Sequence, residues 1–128
     1  VHIVPEGCYD SRVANEELSK LINESHLTIT CSSIADVLLH KYLEISASKS
    51  VILGDVPSDY HDLFHDKVVN INSFMSDDEI IQIIDNALKD KTNLTQKGEE
   101  LYDIVHEEHN LEQASSSFTQ VIDEILIA

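Results

Sequence analysis

The chain has 128 residues, 42% of them hydrophobic, which is enough for one core and too little for two, so a single domain is expected. Lys and Arg total 8 against 24 Asp and Glu; the formal charge of −16 repels a polyanion over most of the surface and excludes nucleic acid as a partner, yet leaves room for a small diphosphate held by a few backbone N–H groups and one Lys. No stretch approaches the ~20 apolar residues of a bilayer span and no leader pattern opens the chain, so the expectation is a cytoplasmic protein with no transmembrane segment.

Val1 to Val4 reads as a strand, followed by a turn-rich segment and by Ala14, Leu18, Leu21 and Ile22 at helical spacing. Leu27 to Cys31 is a short β-branched apolar run, after which Leu38, Tyr42 and Ile45 recur three and four apart, predicting a second strand and a second helix. Val51 to Leu53 predicts a third strand ending in Gly54-Asp55-Val56-Pro57, with Ser58 or Asp59 placed to cap a short helix carrying Tyr60, Leu63 and Phe64. Val68 to Ile71 supplies a fourth strand. Ser76 and Glu79 form a capping box ahead of the stripe Ile80, Ile81, Ile83, Ile84, Ala87 and Leu88. Helical periodicity resumes from Asn93 to His106, where Gly98 costs ~1 kcal/mol relative to Ala and implies close packing. Asn110 with Gln113 opens a last helix whose apolar stripe is Leu111, Ala114, Phe118, Val121, Ile122 and Ile125.

Strands alternating with helices pair in parallel, because each crossover is long enough only for a parallel return. The expected fold class is therefore α/β: a small Rossmann-like parallel sheet of about four strands flanked by helices, with a surplus of helix at the C-terminal end that packs on the sheet edge or on a further domain. In such sheets ligands bind beyond the carboxyl ends of the strands, where helix N-termini face the crevice. A chain that opens at Val1 directly on a strand is expected to be one half of a larger protein.

The segment Lys41 to Pro57, KYLEISASKSVILGDVP, resembles the donor-binding signature of the group 1 glycosyltransferases, whose two Rossmann-like domains bind a nucleotide sugar mainly through the C-terminal one. The order of elements from Glu17 to Leu126 is similar too, and the KYLE helix is closest to a subgroup that includes spore-maturation-type enzymes. The resemblance implies a GT-B architecture and a donor-binding domain that moves a sugar from a nucleoside diphosphate carrier to an unknown acceptor, working with an N-terminal domain of the same protein. It implies no cofactor and no metal. The family pairs two acids eight residues apart; Glu44 matches the second, which holds ribose hydroxyls, and Asp36 stands at the first, which reaches the donor sugar. Lys41, one turn before Glu44, would neutralise the diphosphate, and Ser32 and Ser33 after the second strand would hydrogen bond a phosphate. Val37 and Leu38 replace the glycines that usually follow the first acid, and Lys49 replaces the small Gly before the next strand.

Each candidate also has a plainer reading. Lys41 and Glu44 form an i,i+3 surface pair, Asp36 or the two serines cap the following helix, and His61 and His65 are solvated helix histidines rather than metal ligands, the HExxH Glu being absent. His106 and His109 balance charge at a helix junction. Two function classes stay open at this level: a donor-binding domain of a glycosyltransferase, and a non-catalytic α/β interaction module of a larger protein. A receiver-like domain requires an acidic cluster after the first strand that the chain does not have, although Asp55 stands at a strand end.

Overall fold

The computed structural model describes residues 15–64 and 66–127; the predicted strand Val1 to Val4, Cys8 and His65 lie outside them. Among the described residues three short parallel strands form one sheet: β1 (Leu27–Ile29), β2 (Val51–Gly54) and β3 (Val69–Asn70), in the order β1-β2-β3. Leu27 is in register with Val51 and Leu53 with Val69. The fold is thus mixed α/β with a parallel sheet, as the alternation of elements requires, and all four residues of the central strand are buried.

Among the described residues there are six α-helices: α1 (Asn15–Asn23), α2 (His40–Ala47), α3 (His61–Phe64), α4 (Asp77–Lys89), α5 (Lys91–Glu108) and α6 (Leu111–Ile127). A turn of 3-10 helix, Ser58–Tyr60, leads into α3. Tyr42 and Ile45 of α2, Ile52 of β2, Phe64 of α3 and Leu101 of α5 meet in the core, with the rings of Tyr42 and Phe64 tilted 57° at 6.5 Å. Beside this core Ser50 bridges the start of the sheet, accepting from Thr28 Oγ1 at 2.8 Å and donating to the Ser25 carbonyl at 2.8 Å.

Two glycines are there for lack of a side chain. A Cβ on Gly54 would collide with the Thr30 carbonyl oxygen across the β1–β2 pair, and one on Gly98 would collide with the Lys49 carbonyl oxygen, so α5 lies directly on the turn between α2 and β2. Lys49 itself holds φ 60°, the left-handed conformation in which a glycine would be easier. Lys49 Nζ sits 3.0 Å from Glu99 and 4.7 Å above the Tyr102 ring, fastening the same contact from outside.

The predicted capping box is formed: Ser76 N donates to Glu79 Oε2 at 2.7 Å and Ser76 Oγ accepts from Glu79 N. Asn110 Oδ1 likewise accepts from Gln113 N at 2.8 Å at the start of α6. Two capping expectations are corrected. Pro57, not Ser58 or Asp59, stands at the cap of the 3-10 turn, and α2 is capped by Leu39 with no side-chain hydrogen bond, so neither Asp36 nor the serines serve it. The last helix does not pack on the sheet edge: residues 111–127 are exposed throughout, including the whole apolar stripe.

Candidate functional site

Beyond the carboxyl ends of the three strands the chain leaves a crevice of about 710 Å³, within the ~300–1,000 Å³ usual for small-molecule sites. Its apolar floor comes from Ile29, Leu39 and Ile71, the backbone of Gly54 approaches it from β2, and Ser33 and Lys41 stand at its polar side. Lys41 is the single basic side chain among the described residues that line it, and it forms no ion pair with another described residue. The position follows from where α2 begins: the helix starts at His40, and Leu39 and Lys41 at that start line the crevice.

Asp55, which also lines the crevice, centres a network that the sequence pattern does not display. Asp55, the residue after β2, accepts hydrogen bonds from Ser32 N at 2.8 Å and Ser32 Oγ at 2.5 Å, and from Tyr42 Oη at 3.2 Å. The same Tyr42 hydroxyl donates to the Asp55 carbonyl at 2.9 Å. One carboxylate therefore joins the ends of β1 and β2 to the buried face of α2. Burial pushes the Asp55 carboxyl up, but the Ser32 hydroxyl, the Ser32 N–H and the Tyr42 hydroxyl outweigh it and hold the acid below its ordinary value. Burial, with the facing Asp55 carboxylate, raises Tyr42 well above the usual phenol range. Tyr42 thus stays a neutral donor and Asp55 a charged acceptor, an arrangement that gives a charge-assisted bond rather than a proton relay.

The sequence candidates separate into three groups. Ser33 and Lys41 line the crevice. Ser32 is 4% exposed and supports it through Asp55. Asp36 does not enter it: with φ 51° the residue turns its carboxylate to Ser58, accepting from Ser58 N at 3.2 Å and from the Ser58 hydroxyl. Glu44 does not enter it either, which corrects the expectation that its carboxylate faces the carboxyl edge of the sheet. One turn into α2, Glu44 stands 3.1 Å from His40 Nδ1 and lines a neighbouring groove with Leu18, Ser19 and Ile22 of α1 and Ala47. The loop between Ser32 and α2 carries two non-glycine left-handed residues, Ser33 at φ 63° and Asp36 at φ 51°, each costing about 1–2 kcal/mol. Ser33 Oγ accepts from Ala35 N at 3.2 Å, and at the loop's centre Ile34 is fully exposed.

What sequence reasoning missed is Asp55 in this role and Tyr42 as its partner. An Asp directly after a strand-ending Gly was a signal, yet Tyr42 reads only as part of an apolar stripe. Among the described residues no group of three or more His, Cys, Asp and Glu gathers as a metal site, and no helix is long and apolar enough to cross a membrane. Cys31 is an exposed free thiol at the crevice rim.

Compared with known proteins, the chain matches one family model, described as glycosyl transferase-like, over residues 5–120. No curated protein and no solved structure gives a significant match.

Proposed function

Because the chain belongs to the glycosyl transferase-like family, we propose that its crevice is the nucleotide-sugar site of a glycosyltransferase of GT-B type, and that the chain is the donor-binding half of that enzyme. The supporting observation is the pairing of a free Lys41 with an open crevice at the carboxyl edge of a parallel sheet, in a chain whose exterior is otherwise acidic. Lys41 and the Ser33 hydroxyl contact the diphosphate. Cleavage of the sugar–phosphate bond leaves negative charge on that diphosphate, and a cation already in place stabilises it as it develops.

Glu44 enters this reading from the adjacent groove. Residues three apart on a helix are neighbours, about 5–6 Å between Cβ atoms, so a donor whose diphosphate rests on Lys41 extends its ribose along α2 to Glu44. The carboxylate then exchanges His40 for two ribose hydroxyls. Asp36 and Ser32 act on the donor through the loop they fasten. The base that activates the acceptor belongs to another domain, for which the bare stripe of α6 offers a packing surface, so the 128-residue chain alone binds donor and transfers nothing.

Calorimetric titration with UDP, GDP and ADP tests the reading. One of the three binds, Lys41→Ala weakens it about tenfold, the loss of one charge-assisted contact, and Glu44→Ala weakens it comparably while the far-UV spectrum is unchanged. Absence of binding by all three, or full binding by Lys41→Ala, removes the assignment.

A further inference from the structure

The 33–37 loop presents a contradiction that its anchors resolve. Ile34 at its centre is fully exposed, although the apolar floor formed by Ile29, Leu39 and Ile71 lies directly within the same crevice. A loop free to move would fold that side chain onto the floor and close the space, because burial of an isoleucine is favourable. Instead the loop stands open, with Ser33 and Asp36 both in the left-handed region that non-glycine residues avoid. Something must oppose both the collapse and the backbone preference. On the N-terminal side Ser32 is tied twice to the Asp55 carboxylate, at 2.8 Å through its N–H and at 2.5 Å through its hydroxyl, and Val37 N closes the loop back onto the Ser32 carbonyl at 3.1 Å. On the C-terminal side Asp36 grips the N–H and hydroxyl of Ser58.

We propose that Asp55 is a positioning residue of this site, which holds the 33–37 loop as a preformed open wall of the crevice through Ser32 and Tyr42. Asp55 also lines the crevice, but its oxygens accept from Ser32 N, Ser32 Oγ and Tyr42 Oη, and the role assigned to it is to hold the loop. Its effect on binding is preorganisation: a ligand meets an open crevice and does not have to prise Ile34 off the floor. The binding part of this inference rests on the donor-site reading above; the mechanical part does not.

Hydrogen exchange and nucleotide titration on the 128-residue chain test both parts. In Asp55→Asn, amides of residues 33–37 exchange at least tenfold faster while those of Ile52 and Leu53 in β2 change less than twofold. The affinity for whichever of UDP, GDP and ADP binds the parent chain falls at least tenfold. Ser32→Ala, which keeps the N–H donor, moves both readouts in the same direction by less, and serves if Asp55→Asn does not fold. Unchanged loop exchange, equal acceleration throughout the sheet, or a freed loop with full nucleotide affinity each overturns the proposal. If the parent chain binds none of the three nucleotides the donor reading fails, and the exchange pattern alone then decides whether Asp55 holds the loop.

Discussion

Asp55 concentrates the stability argument at the residue scale. Its folded-state pKa lies below the usual 3.8, so the folded chain holds that proton less tightly than the unfolded chain. The contribution is complete above the unfolded value and is lost as pH falls through the lower folded one. Urea unfolding should therefore show the parent chain and Asp55→Asn differing by about 2 kcal/mol at neutral pH, with the gap narrowing as pH is lowered below about 4. A gap that widens on acidification would contradict the assigned direction. Gly98 gives a second residue-level prediction. Alanine is the better helix former, yet its Cβ meets a backbone carbonyl at Lys49 that has no rotamer to retreat into, so Gly98→Ala should destabilise by about 1–3 kcal/mol in denaturant unfolding. The close approach at Gly98 was legible in the sequence because a glycine in a helical pattern demands a reason. The Asp55–Ser32–Tyr42 contact was not, because residues 23 and 13 positions from Asp55 meet it only once β1, β2 and α2 are assembled.

At the scale of elements, what could be read was what is local. Ser76 and Glu79 announce the start of α4 within four residues, and the structure forms both bonds. Ser76→Ala should accordingly lower stability by about 1 kcal/mol, measured by thermal or urea unfolding, with the loss confined to one cap. The start of α2 was misplaced for the opposite reason: Leu39 caps it with no side-chain signal, and the preceding loop takes left-handed turns at Ser33 and Asp36, where no glycine marks them. Within α2, Lys41 lines the crevice and Glu44, one turn further on, lines the neighbouring groove. Helix α6 differs from the others in that its periodic stripe was correctly located but has no partner among the described residues. Replacing Phe118 and Ile125 together by Ser should change unfolding stability by less than about 1 kcal/mol, since both side chains are already in water, and should reduce self-association in sedimentation velocity. A large loss of stability would mean that α6 packs against the rest of the chain.

Over the whole molecule, the alternation of strands and helices dictated a parallel sheet, and a parallel sheet places ligand at its carboxyl edge. On the donor-site reading proposed above, Lys41 supplies the cation that helps an anion settle in a chain with a formal charge of −16. Backbone amide shifts of the isotopically labelled chain, followed by NMR during titration with the tightest-binding of UDP, GDP and ADP, should move most at Ser33, Lys41, Gly54 and Asn72 around the crevice, and next at Glu44. Shifts gathered on α4, α5 or α6 with those amides undisturbed would contradict the account.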